Sequence, residues 1–413
     1  MTHALFSFAP LSVSLPFVAA FFQLAAGHPS HAMNPEEIPA GQKAMVDKTM
    51  NLSLYGSRAE KLTLAQIQEW VGEAATIETL DGTDVDWENI AIVWPDLTVR
   101  MNTTSIDSDG TLEFLGQFQA YVYGQLAGGE MDRSVFSVYR QIGRTNNMYS
   151  LTAEKPLHRE CIALARAIAD SEKAMIFSDG QVLDNQFRLL LGPDRSRDEE
   201  AKIPVFRSAV ERRVRSRELL LKRSLKPIKL PEVVGDEAVR LRRTSAVARR
   251  FLCLATVAMK ADHQDKFDAD KFIAEHDLRS SLTPDEVEFL ASPTEQSNST
   301  MTWRYEAAWT LLWALKQTEE IGFPDSESDA NLVIQAAVNN AASILASKEL
   351  RPTRELLDQM DVLYLCNWII TEARVQEEST EGLDGSVVYE RLYALNWLVF
   401  DGNADWDDVR TNS

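Results

Sequence analysis

Between residues 51 and 191 short apolar runs alternate with helical stripes, and beyond that the strand-like runs stop. Asn51-Leu52-Ser53-Leu54-Tyr55 reads as a first strand, and 62–71 has the apolar spacing of an amphipathic helix. Residues 90–94 and 97–101 read as strands joined at Pro95-Asp96, because proline suits a turn and cannot donate to a central ladder. Helices are predicted over 112–126 and 135–142, then a strand over 148–153. The clearest helix is 157–171, with Cys161, Leu164, Ala165 and Ile168 on one stripe. A buried strand over 174–177 and a partner over 187–191 follow, with a turn near Ser178-Asp179-Gly180. Strands that do not alternate strictly with helices point to an α+β sandwich, not a doubly wound sheet. No glycine-rich phosphate loop joins a strand to a helix.

The segment 193–236 is predicted to be a basic linker. It opens on a polar run, is broken by Pro227 and Pro231, and holds a helix over 205–223 with Val210, Val214 and Leu221 inward. From 237 to 413 only helical periodicity remains, with helices predicted over 237–261, 267–275, 284–291, 303–321, 330–350, 353–374 and 387–400. Thr283-Pro284-Asp285-Glu286 is a start signal, with a capping threonine, proline at the first helical position and acids in the first turn. The expected architecture is therefore an α+β N-terminal module over 33–192, followed by an all-α helical domain over 237–413.

Charge changes the picture in one place. The 413 residues carry a formal charge of −20, which disfavours general nucleic-acid binding. Residues 202–250 nevertheless hold fifteen Lys and Arg against five acids, whereas 251–413 hold twelve against thirty. The basic stretch reads as a solvated helix face docking on its acidic neighbour, or as a patch for an acidic partner. Cys161, Cys253 and Cys366 are widely spaced in apolar runs, so reduced core thiols and a cytoplasmic location are expected, the alternative being export.

Residues 4–26 are apolar without an acid or base, and residues 1–32 allow three readings. Translation starts at Met33, or a signal peptide is cleaved near Ala25-x-Gly27 or Ser30-x-Ala32, or the segment anchors the chain. No Lys or Arg precedes the run, and Pro10 and Pro16 interrupt it. Membrane contact is expected only if 4–26 is retained.

Four blocks occur in order: RRTSAVARRFLCLATV at 242–257, TWRYEAAWTLLWAL at 302–315, LDQMDVLYLCNWIITEA at 357–373, and VYERLYALNWLVF from 388 with WDDVRTNS closing the chain. Together they resemble the bacterial domain-of-unknown-function family numbered 4272 over about the last 170 residues. The resemblance implies a fold and no established activity. Where Tyr-Arg-Leu-His-Trp is usual, this chain reads Tyr364-Leu365-Cys366-Asn367-Trp368, and Arg391-Leu392 replaces Arg-His. A site built on those two imidazoles would be lacking here.

Candidate chemistry gathers at Trp303-Arg304-Tyr305-Glu306. Six of the nine tryptophans follow residue 300, and Trp309 and Trp313 lie one turn apart. An Arg–Glu pair in an aromatic pocket would bind an anionic or planar ligand. The bland alternative has Arg304 and Glu306 completing buried ion pairs with charges such as Asp361 or Arg391. Asp401, Asp405, Asp407 and Asp408 lack EF-hand spacing and read as a solvated tail anchored by Trp406. Outside the first 32 residues only His158, His263 and His276 remain, none in metal spacing, and there is no Gly-x-Ser-x-Gly elbow. No cofactor or metal is expected.

The expected function is a non-catalytic protein-interaction or regulatory role. Trp303, Arg304, Glu306, Trp309, Asp361, Arg391 and Asn396 would form a groove for a protein partner. The alternative is an enzyme or small-ligand binder that converges Arg304, Glu306, Asp361 and Arg391 on a pocket.

Overall fold

The computed structural model describes residues 50–411, except 85, 109, 154–157, 231–233, 264–265, 381, 400–403 and 410. The apolar run 4–26 and Asp401 lie outside the described residues. The chain divides into two units, one of residues 62–204 with the chain up to Gly56, the other of residues 57–61 and 205–413.

The first unit is an antiparallel sheet with helices on both faces. Its elements run β1 (Met50–Gly56), α1 (Leu64–Val71), β2 (Thr76–Gly82), β3 (Trp87–Trp94), β4 (Leu97–Ser105), α2 (Thr111–Tyr121) continued by a π-helical turn (Val122–Leu126), α3 (Arg133–Ile142), β5 (Asn147–Ala153), α4 (Arg159–Glu172), β6 (Met175–Ser178), β7 (Gln181–Leu183) and β8 (Leu189–Leu191). The strand order is β2-β3-β4-β5-β1-β6-β7-β8. Alternation sorts the side chains: Leu52 and Leu54 of β1 pack with Cys161, Leu164 and Ile168 of α4, and Tyr55 packs on the opposite face with Phe118 of α2 and Val138 of α3. β3 and β4 meet at Trp94↔Leu97 around Pro95-Asp96, where the sequence places the turn.

Two strand expectations are corrected. β6 pairs with β7, not with 187–191, because Asp179 (φ 48°) and Gly180 (φ 77°) form a two-residue turn of the kind that returns a strand at once. β8 then pairs with β7. The edge strand β2, TIETLDG, is polar and almost wholly exposed, so no apolar run announces it; pairing with β3 makes it a strand.

The second unit is mostly helical, and among the described residues no strand follows β8. It comprises α5 (Arg207–Lys222), α6 (Thr244–His263), α7 (Ala269–Glu275), α8 (Pro284–Ala291), α9 (Glu295–Thr302), α10 (Arg304–Ala314), α11 (Ala330–Leu345), α12 (Thr353–Gln376) and α13 (Gly385–Leu398). α6 is buried on nearly every side, as an all-round apolar helix must be, with α7, α8, α9, α10 and α11 packed against it. α8 begins at the predicted residue, with Thr283 and Glu286 in a reciprocal capping box. No helix among the described residues is long and apolar enough to cross a membrane.

α10 ends at Ala314, short of the predicted 321. Lys316 adopts φ 61°, the Arg351 amide takes the Ala314 carbonyl at 2.8 Å, and the Arg351 guanidinium takes the Trp313 carbonyl at 2.8 Å. α5 also corrects an expectation, since its buried face is the reverse of the apolar one. Val210, Val214 and Leu221 are exposed by 39%, 52% and 54%, while Arg212, Arg213 and Ser216 are buried with Ala209 and Leu220. The guanidinium stems fill the interface and their heads meet carboxylates on α12, which an apolar stripe could not do.

Candidate functional site

The residues singled out by sequence fall in different places of the helical unit. Arg304 opens α10, and one of its guanidinium nitrogens donates to both oxygens of Glu390 on α13 at 3.1 and 3.0 Å. The guanidinium also lies 5.3 Å from the Tyr393 ring centre. Burial pushes Glu390 above the usual carboxylate range, with Arg304 working against it. Burial pulls Arg304 down, yet the Glu390 charge and hydrogen bonds leave it raised on balance.

Glu306, two residues on, turns to Arg391. Arg391 Nε donates to Glu306 Oε2 at 2.8 Å, and its Nη1 donates to the Ile321 and Gly322 carbonyls at 3.1 Å each. The other Glu306 oxygen accepts the Ser328 amide. Trp309 Nε1 donates to the Ile321 carbonyl at 3.0 Å. This group pins the 315–329 connection onto α10 and α13. Asp361 belongs elsewhere: Arg213 of α5 grips it with Nε at 3.1 and 3.2 Å and Nη2 at 2.8 Å. Asn396 is buried within α13. Arg304, Glu306, Asp361 and Arg391 are therefore held in three ion pairs, Arg304–Glu390, Arg391–Glu306 and Arg213–Asp361. The Glu306–Arg391 pairing was foreseeable as the bland alternative, while Glu390 for Arg304 and Arg213 for Asp361 were not.

Of the seven, Trp303 lines a cleft of about 270 Å³ bounded by Trp303, Asn367, Ile370, Arg374, Ser386 and Tyr389, with Glu390 at its side. Trp303 stands at the junction of α9 and α10, the next group comes from α12, and the last from the first two turns of α13. A Cβ at Gly385 would lie 3.0 Å from a guanidinium nitrogen at the flexible end of the exposed Arg374 side chain. Sequence reasoning missed Tyr389, Glu390 and Arg374; the one signal was an acid, Glu390, within the otherwise apolar pattern of α13.

Asn367, where the family resemblance leads one to expect histidine, faces this cleft and donates to the Thr411 carbonyl at 3.0 Å. Leu392, the second such position, is in the core at 1% exposure. The three described histidines stand apart: His158 beside Asp96 and Glu160, His263 beside Asp262, His276 against Phe272. Among the described residues no group of three His, Cys, Asp or Glu is placed to hold a metal ion. All three thiols are buried, and burial pushes Cys161 and Cys253 up to about 11 and Cys366 up to about 12. The acidic tail is anchored by Trp406, whose ring packs 5.1 Å from Tyr393 and 5.4 Å from Trp397 while Asp405, Asp407 and Asp408 stay exposed.

No curated protein matches the chain. No solved structure matches it either. Residues 212–409, from within α5 to just past Trp406, match the model of the family described as Domain of unknown function (DUF4272), so the C-terminal part of the chain is similar to that family.

Proposed function

We propose that this chain is a non-catalytic interaction protein, and that its helical unit receives a protein partner at the cleft bounded by Trp303, Asn367, Arg374 and Tyr389. The observation that carries this reading is how the charges are used. Arg304, Glu306, Asp361 and Arg391, the groups best suited to chemistry by sequence, are engaged with partners inside the helix packing. What faces the cleft is a recognition set: a half-buried tryptophan, a tyrosine 43% exposed, an amide and an exposed arginine.

The test places a photo-crosslinking phenylalanine analogue at Tyr389 and, as control, at the exposed Val338 of α11 in cells of the native host. The expected result is an adduct of discrete mass from position 389 that Arg374→Glu removes and position 338 does not give. Equal labelling from the two positions, or none from 389, overturns the reading. A second reading, a small-ligand binder, draws support from the cleft volume and from Trp303 and Glu390 beside it. Under that reading a small-molecule panel raises the melting temperature of wild type and not of Trp303→Ala, and no protein adduct forms.

A further inference from the structure

The sheet of the first unit has two edges, and the chain treats them differently. β8 is three residues long, and the chain beyond it folds back, with the Asp198 amide donating to the Leu189 carbonyl at 2.8 Å and the Gly192 amide to the Ser196 carbonyl at 2.8 Å. β2, at the opposite edge, is seven residues long, six of them exposed. An edge strand presents outward a row of N–H and C=O groups spaced to pair with another extended chain. Pairing with β3 is regular from Thr76 to Thr79 before a bulge at Leu80, whose side chain is 53% exposed.

Charge selects what would pair there. Residues 62–99 contain eight Asp and Glu and no Lys, Arg or His, and all eight acids are exposed. Glu78 and Asp81 lie on the strand itself, with Glu73 and Asp84 just before and after it. A second copy of the same edge would set these carboxylates against one another, which disfavours self-pairing. An extended segment carrying Lys or Arg would gain both the ladder and the field. We propose that β2 accepts a basic, extended segment of a partner protein by strand addition. This inference stands on the sheet unit and is independent of the cleft in the helical unit. Its rival is that the same charges only repel other strands; the two differ in what a cationic strand does.

The test uses two nine-residue peptides of alternating Lys, Thr and Val, N-acetylated and C-amidated, one with two central residues replaced by proline. Binding to the full chain is read by fluorescence anisotropy and by amide exchange across 76–82. The strand-competent peptide is expected to bind about ten-fold more tightly than the proline peptide, because proline removes ladder donors. It should weaken with added salt and slow exchange in β2. Glu78→Lys/Asp84→Lys, both at exposed positions, should lower its affinity by about ten-fold with far-UV dichroism unchanged. Equal affinity of the two peptides means charge attraction without a strand and overturns the proposal. So does the absence of binding at millimolar peptide, or protection that appears outside β2.

Discussion

In the sheet unit the largest fully buried side chain is Trp87, and the buried charges among the described residues are Glu172 and Asp184. Glu172 accepts from the Tyr149 hydroxyl at 3.2 Å, and Asp184 is wrapped by the amides of Gln186, Arg188 and Lys202 with one Arg188 nitrogen. In the helical unit Arg212, Arg213, Arg250 and Arg391 are all buried, and each meets a carboxylate on another element. The difference follows from the backbone. A strand satisfies its polar groups on its neighbour, so pairing itself fixes which strand lies where. A helix satisfies them internally and leaves the choice of neighbour to side chains, where an apolar surface alone discriminates poorly. An arginine fork that finds its carboxylate in one arrangement and is stranded in others supplies that choice, at little net gain in stability over an apolar pair.

This comparison is broken most directly at Glu306. Glu306→Ala strands the Arg391 guanidinium at 2% side-chain exposure, and a loss of about 3–5 kcal/mol in urea unfolding is expected. The double change Glu306→Leu/Arg391→Met removes the stranded charge and should regain part of the loss, the Ser328 amide and the Gly322 carbonyl staying without these partners. If the double variant is no more stable than the single one, the pair is a source of stability and the argument from selection fails. In the sheet unit the equivalent injury is apolar. Leu54→Ala at 0% exposure should cost about 3 kcal/mol by the same measurement, and no change of a polar neighbour should restore it.

The thiols sharpen the contrast at alkaline pH. Their folded pKa values lie above the ordinary value, so a thiolate forms more readily in the unfolded chain. Their contribution is intact below pH about 9 and is lost as the pH rises through about 11 for Cys161 and Cys253 and about 12 for Cys366. Stability should fall across that window, and a Cys161→Ala/Cys253→Ala/Cys366→Ala variant should fall less steeply. At pH 8 a thiol reagent should label the native chain slowly and all three cysteines in urea. The smallest effect is local: Thr283→Ala, which removes one half of the α8 capping box, should cost about 1 kcal/mol in melting experiments.

Most helices of the second unit are legible because their apolar periodicity is long, and α8 because its start is marked at Thr283. α9 is not, since EQSNSTMT has a single buried residue, Met301, and is a helix through its Thr294 cap and its packing on α6. The inward face of α5 was hidden because periodicity weighs valine above arginine, whereas the fold buries a paired arginine and leaves Val214 outside. The candidate site was legible in composition and not in partnership. Trp303, Arg304 and Glu306 stand out within one block, but Glu390 and Arg391 lie more than 80 residues away and only tertiary packing assigns them.

The five residues 57–61 belong with the helical unit, where the Ala59 amide donates to the Glu237 carbonyl and the Ala59 carbonyl accepts from Arg240, 181 residues later. A ribosome therefore releases this strap long before its seat exists, and every strand of the sheet unit after β1 is synthesised in between. The strap must wait unoccupied through that interval, and a fragment cut at the boundary of the family match loses it altogether.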